Sequence, residues 1–395
     1  MAPVDVFEPA TLGPLRLRNR VIKAATYEGM SPGGHASPAL VAFHRRLAAG
    51  KVGLTTVAYC AVSREGRTFD NQLVLSAESR RVLGKLTKAV HDEDGKASLQ
   101  LGHAGTFSKV RGTGGRAPCG PSFALNAYGV SAGLPFARAM DAKDIADVVR
   151  AFGEAAATAV ELGFDAVEVH LGHGYLLSQF LSPATNRRTD EWGGSIANRM
   201  RLPLAVLEAV RKSVGSNVAV IAKTNLSDGF EGGLDIDDAV TIAQTIEKSG
   251  TADAIVPSGG FTSRTPFYLL RGGLPLRKMA DAQPDRLSRV AMRVLGGAII
   301  DRYDFEPSFF LPLARHLRSA VKLPLGLLGG VVSKDDFASA RAEGFDFVVL
   351  GRALIADPDL VERMQRGEIS RTRCNACNEC VAEMDIAGVR CTLDR

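Results

Sequence analysis

Two histidines three residues apart, His170 and His173, are followed at once by Gly174 and Tyr175. They close an apolar run, Asp165–Leu171, where a buried strand would stop. Neutral imidazoles can donate N–H groups to a carbonyl oxygen and withdraw charge as hydride reaches the β carbon. A tyrosine beside them can then protonate the α carbon. One strand-end histidine is more often structural, but a pair with Gly and Tyr favours chemistry. A zinc pair would need a third ligand, and no neighbouring strand end supplies a further His, Cys or carboxylate.

A second constellation suits an anion. Gly329-Gly330 and Gly351-Arg352 are glycine-bearing turns, each between a strand and a helix. Backbone N–H groups and helix dipoles at such turns hold a phosphate, and Arg352 adds charge. Gln100 ends the third apolar run, where its amide could donate and accept at once, as a heterocycle edge requires. A glutamine bonded to loop backbone is an equally good reading of that residue alone. Lys223, in Ala-Lys-Thr-Asn, is either a Schiff-base nucleophile or a counter-ion for an anionic ring system.

The elements that must position these residues are legible as short apolar runs. They are Arg20–Thr26, Gly53–Val62, Ala97–Gly102, Asp165–Leu171, Val218–Leu226, Ala252–Ser258, Leu323–Gly330 and Phe345–Gly351. Helical spacing fills most of the intervals, most clearly from Asp144 to Leu162, then over Arg199–Val214, Asp235–Ser249 and Lys334–Glu343. Near-continuous apolar strands alternating with helices predict an α/β fold, a (β/α)8 TIM barrel. An open doubly wound sheet would favour an early Gly-x-Gly-x-x-Gly, which is absent. In a barrel the C-terminal strand ends face the site. In order these are Ala25-Thr26-Tyr27, Tyr59-Cys60, Gln100, His170 with His173, Lys223, Ser258-Gly259-Gly260, Gly329-Gly330 and Gly351-Arg352. Tyr27 and Tyr59 thereby join the residues expected to face a cofactor. Gly-x-Ser-x-Gly and His-Glu-x-x-His are both missing, so serine-hydrolase and zincin chemistry have no support.

Two stretches break the rhythm. Thr106–Met140 is expected as a loop over the barrel mouth. Phe261–Pro312, after the sixth strand, is expected as a longer loop excursion serving as lid or binding segment. Residues 1–365 are read as the barrel and 366–395 as a tail carrying four of the six cysteines.

The composition is that of a globular chain, 46% hydrophobic and 23% charged. A net charge of +5 without a Lys/Arg run gives nucleic-acid binding little support. No apolar window approaches the roughly 18 residues of a membrane span, and the N-terminus lacks a basic start and an apolar core. A cytoplasmic location is expected, and a homo-oligomer is left open.

Taken together these residues resemble the Old Yellow Enzyme family of FMN-dependent ene-reductases, over about residues 5 to 365. The most specific stretch is His170-Leu-Gly-His173-Gly-Tyr175-Leu-Leu-Ser-Gln-Phe-Leu-Ser-Pro, then Asn-x-Arg-Thr-Asp-x-x-Gly-Gly-Ser and Asn198-Arg199. Leu-Arg-Asn19-Arg20-Val, Glu65-Gly66-Arg67, Gln100-Leu-Gly-His103-Ala-Gly and Leu350-Gly351-Arg352 add to it. The resemblance implies FMN at the barrel mouth, reduced by NAD(P)H and reoxidised by an enone-like or nitro substrate. His170 and His173 would hold the substrate oxygen and Tyr175 would protonate the α carbon. Gln100 would touch the flavin pyrimidine. Gly330, Gly351 and Arg352 would lie around the phosphate, with the backbone of Ala25 and Thr26 against the ring.

The chain departs from that pattern in three places. Tyr27 stands where the family has Thr or Cys, Lys223 where many members have Arg, and Thr106 where Arg is usual. In the tail, Cys374-x2-Cys377-x2-Cys380-x10-Cys391 resembles the [4Fe–4S] ligand set of the dienoyl-CoA reductase and trimethylamine dehydrogenase branch, with the second and last gaps one residue shorter. A structural zinc and free thiols are the alternatives. An amine or N-methyl dehydrogenase on the same scaffold is the second enzymatic reading, and a Lys223 aldolase the third.

Overall fold

Eight parallel strands run through the computed structural model, which describes residues 5–283, 286–384 and 386–393. They are β1 (Val21–Lys23), β2 (Leu54–Ala61), β3 (Lys96–Gly102), β4 (Ala166–Leu171), β5 (Ala219–Asn225), β6 (Ala254–Ser258), β7 (Gly326–Leu328) and β8 (Phe347–Leu350). Each lies within, or one residue beyond, an apolar run of the sequence. In space the order is β6-β5-β4-β3-β2-β1-β8-β7. A parallel bridge from Ile255 to Leu325, with the Ile255 N–H donating to Pro324 O at 2.9 Å, joins the two ends. The sheet is thus closed into the expected barrel.

The covering helices are α1 (Pro38–Ala49), α2 (Ala77–His91), α3 (Ala142–Glu161), α4 (Arg201–Val214), α5 (Ile236–Ser249), α6 (Leu311–Ala320) and α7 (Lys334–Ala342). Their starts follow from capping side chains. Ser76 accepts from Ser79 N–H ahead of α2, and Asp235 from Asp238 N–H ahead of α5. Asp141 with Asp144, and Ser333 with Asp336, form reciprocal capping boxes. A hairpin of Ala10–Leu12 with Leu15–Leu17 precedes β1.

The barrel interior is less aliphatic than its outer wall. Strand alternation turns Lys23, Gln100, Glu168, His170 and Lys223 inward, all nearly or wholly buried. Buried charges need partners. Lys23 pairs with Glu28 at 2.7 Å and Lys223 with Glu168 at 3.1 Å, while Gln100 Nε2 donates to Glu168 Oε1 at 2.7 Å.

Both excursions hold more regular structure than their sequences suggest. Within 106–140, Cys119–Gly120, Ala124–Leu125 and Phe136–Ala139 build a small three-stranded sheet. The segment expected as a long loop after β6 is largely helical, with turns at Pro266–Leu269, Leu276–Asp281 and Arg286–Ile299. Its glycines and prolines at 272, 273, 275, 296 and 297 interrupt the helical period and disguise it as loop. The tail packs on this excursion. Asn378 Nδ2 donates to Gly273 O at 2.8 Å and to Leu270 O, and Lys278 pairs with Glu379 at 2.5 Å. Among the described residues, no helix is long and apolar enough to cross a membrane.

Candidate active site

The turn after β4 sets the two histidines. His170 is the last inward residue of β4 and is 3% exposed. Its Nδ1 accepts the Gly172 N–H at 3.3 Å, which assigns the proton of the neutral ring to Nε2. His173 then takes a left-handed conformation, φ 59°, uncommon for a residue with a side chain. The fold holds it there from two directions: its N–H donates to Asn225 Oδ1 at 2.9 Å, and its carbonyl accepts Thr262 N–H at 2.9 Å. Gly174 follows at φ 74°, and a Cβ there would stand 2.4 Å from the Phe261 ring. The chain can therefore turn into the helix Leu176–Leu181, with Tyr175 at its cap.

The three side chains converge. The His170 ring lies 4.9 Å from His173, nearly perpendicular, and 4.5 Å from Tyr175. Tyr59 and Phe107 pack on Tyr175 at 4.8 and 5.1 Å. Burial, His173 and Lys223 push His170 well below the ordinary imidazole range, and burial with Lys223 pushes His173 down to about 3. Both are neutral N–H donors at pH 7. Burial and the neighbouring Tyr128 raise the Tyr175 phenol, against the Thr68 and Thr262 hydroxyls, so it stays protonated.

A cleft of about 700 Å3 opens at this end of the barrel. Ala25, Thr26, His173, Lys223, Ser258, Gly329, Gly330, Gly351 and Arg352 line it, so residues from six strand ends meet there. Gly329 and Gly330 have φ of 104° and 81°; a Cβ on Gly330 would lie 2.6 Å from Glu306 O. Thr26 Oγ1 is buried on this wall without a protein partner, an orphaned polar atom that a bound ring could satisfy. With a buried lysine and glycine turns on one cleft, the residues fit FMN.

His170, Tyr175, Gln100, Tyr27 and Tyr59 are not on that cleft wall, while Lys223 and Arg352 line it with protein partners of their own. Gln100 is 3% exposed, bonded to Glu168 and absent from the residues lining the cleft. Tyr27 bridges to Ala58 and packs edge-on to Phe69 at 5.0 Å rather than lining the cleft. Tyr59 backs Tyr175, its hydroxyl 2.6 Å from Thr68 Oγ1. The Arg352 guanidinium is engaged by Arg271 O at 2.9 Å and by Asn378 Oδ1. Lys223 is engaged by the Glu168 carboxylate at 3.1 Å, a buried ion pair that argues against a Schiff-base nucleophile. Sequence reading placed Ser258 only among the strand ends facing the site and assigned no role to Asn225, Glu168, Thr68 or Thr262, whose contacts form only between distant segments.

Cys374, Cys377, Cys380 and Cys391 surround one small pocket of about 280 Å3 together with Arg352. All four are free thiols, and burial raises Cys380 to about 12. Among the described residues, no three His, Cys, Asp or Glu side chains are gathered to hold a metal ion.

The chain is similar to known flavoenzymes along its whole length. Residues 5–259 match the model of the NADH:flavin oxidoreductase / NADH oxidase family. The 4,4'-dithiodibutanoate disulfide reductase of Rhodococcus erythropolis is 43% identical over 391 residues, 98% of this chain and 95% of that protein. The NADH oxidase of Thermoanaerobacter brockii is 29% identical over 382 residues, 95% of this chain but 53% of its own length. The chain thus spans about half of some of its relatives. Morphinone reductase in complex with tetrahydroNAD superposes with a TM-score of 0.69 over 95% of this chain and 94% of that one, at 24% identity, a likeness of fold. The sequence match, more than half of the chain in the family model and nearly all of it in one relative, places this protein among the NAD(P)H-dependent flavin oxidoreductases, as a member of the NADH:flavin oxidoreductase / NADH oxidase family.

Proposed function

We propose that the protein uses NAD(P)H to reduce the activated C=C bond of α,β-unsaturated carbonyl or nitro compounds. The observation that carries this reading is the convergence of two neutral imidazoles and one protonated phenol beside the cleft, which His173 lines. Ala25, Thr26, Lys223 and the turns at 329–330 and 351–352 would hold FMN, which when bound would supply the hydride relay between nicotinamide and acceptor. The residues supply the rest. His170 and His173 bind the substrate oxygen and take up its developing negative charge without gaining a proton. Tyr175 Oη delivers the proton to the α carbon. Tyr59 and Phe107, packed on that phenol, exclude water and fix its direction. The Lys223 ammonium, paired with Glu168, stands ready for an anionic ring edge.

A second acceptor is favoured by one observation, the disulfide reductase that matches this chain at 43% over nearly its full length. Reducing an organic disulfide takes two electrons into the S–S bond and one proton for each thiolate, and Tyr175 can supply protons there too. Oxidising an amine requires no proton donor, which ranks that reading lower. The four cysteines that line one pocket would suit a [4Fe–4S] cluster or a zinc ion once their thiols were drawn together; iron, zinc and acid-labile sulfide in protein purified without oxygen test this.

The deciding experiment mixes NADH- or NADPH-reduced protein, anaerobically, with cyclohex-2-enone or with 4,4'-dithiodibutanoate. The flavin of the purified yellow protein should be reoxidised by the enone. Reoxidation by the disulfide alone would replace the first reading with the second. A phenol should add a long-wavelength charge-transfer band.

A further inference from the structure

Resting on the reading of His170 and His173 as an oxygen clamp, we propose that Ser258 is the positioning residue that holds the proton of His173 on Nδ1. Ser258 Oγ lies 2.7 Å from His173 Nε2, at the inward-facing end of β6. The serine is fully buried, and its hydroxyl has no other hydrogen-bond partner among the described residues. A hydroxyl carries one proton. If it only accepted from Nε2–H, that proton would be left unsatisfied inside the protein, at a cost comparable to a lost hydrogen bond. Donation from Oγ–H to the Nε2 lone pair satisfies both groups and moves the ring proton to Nδ1.

His170 is fixed in the opposite sense. Gly172 N–H occupies its Nδ1 and leaves the proton on Nε2. The two rings, 4.9 Å apart, thus belong to opposite tautomers so that each has an N–H to offer the same acceptor. The consequence is a specificity for substrate class. Two donors suit a carbonyl, nitro or phenolate oxygen. The other tautomer of His173 would present a lone pair, which suits an N–H or S–H group and repels an oxyanion. Ser258, on the same cleft wall as His173, selects between them through its bond to Nε2.

The test uses FMN-loaded protein labelled with 15N-histidine. His173 should show a protonated, pyrrole-type Nδ1 and an unprotonated Nε2, and His170 the reverse, with His173→Asn assigning the signals. Ser258→Ala should blur the His173 pattern and weaken 4-hydroxybenzaldehyde binding, read by its charge-transfer band, by about tenfold. Ser258→Thr, which keeps the hydroxyl, should restore both, and FMN content should be equal in all three. A protonated Nε2 on His173 in the unmutated protein would overturn the proposal. So would Ser258→Ala binding the phenol normally while His173→Asn loses it, an outcome that leaves the clamp standing. If neither variant alters phenol binding, the clamp itself falls, and the proposal with it.

Discussion

A neutral imidazole is the form this site uses, and burial enforces it. An imidazolium would bind an oxyanion more strongly, but it would also repel Lys223, and the low-dielectric barrel end disfavours it. The phenol of Tyr175 is shifted the other way by the same cause and remains a proton source. Tyr175→Phe is therefore expected to slow reoxidation of the flavin by an alkene by about 10²–10⁴-fold, leaving reduction by nicotinamide nearly unchanged. Stopped-flow measurement of the two half-reactions separates these, and equal slowing of both would contradict the acid role. At this scale the sequence was most legible where chemistry is contiguous, as in His170, His173 and Tyr175. Asn225 and Ser258 reach His173 across 52 and 85 residues of chain. Spacing carries no trace of such contacts, since they exist only once β4, β5 and β6 lie side by side.

At the scale of elements, the tail and the excursion after β6 behave as one assembly beside the cleft. Asn378 is its pin. It sits at φ 63°, donates to Leu270 O and Gly273 O, and accepts from Arg352, a residue shared by the cleft and the cysteine pocket. Asn378→Ala removes these bonds and places a Cβ residue without a local hydrogen bond in the left-handed region. A local cost of about 2–4 kcal/mol follows. Asn378→Gly loses the same bonds but relieves the backbone, so it should be the milder of the two. Hydrogen–deuterium exchange should rise over residues 366–393 and 266–281 in both variants while β2 to β5 keep their protection. Unchanged exchange in the tail would show that the cysteine pocket, and not Asn378, holds it.

For the whole molecule, buried neutral histidines make acid the relevant stress. His44, His103, His170 and His173 are all held below the ordinary imidazole value, chiefly by burial, His103 to about 4 and His173 to about 3. Below about pH 6.5 the unfolded chain binds protons that the native protein refuses. Stability should thus be full above that pH and fall as pH drops toward the folded-state values, by up to about 1.4 kcal/mol per pH unit for each such histidine. Urea midpoints at pH 7.5, 6.5 and 5.5 at fixed ionic strength read this directly. A flat profile would mean that the rings gain water or partners before the fold opens. The paired carboxylates Glu28 and Asp144, the latter near 2, add to the loss only at lower pH.

What the sequence by itself determined was the barrel and its reactive motif. Each β-branched run becomes a strand because local burial and period act over a few residues, and His170, His173 and Tyr175 meet because one turn carries them all. Tertiary structure alone decided which side chains complete that turn. It turned Gln100 to Glu168 and away from the cleft wall, took Tyr27 to Phe69, and bound Arg352 into the tail. It also folded the glycine-punctuated excursion into helices. The physical reason is that a buried polar group takes whichever partner packing brings within hydrogen-bond reach, and in a closed barrel that partner comes from a distant strand.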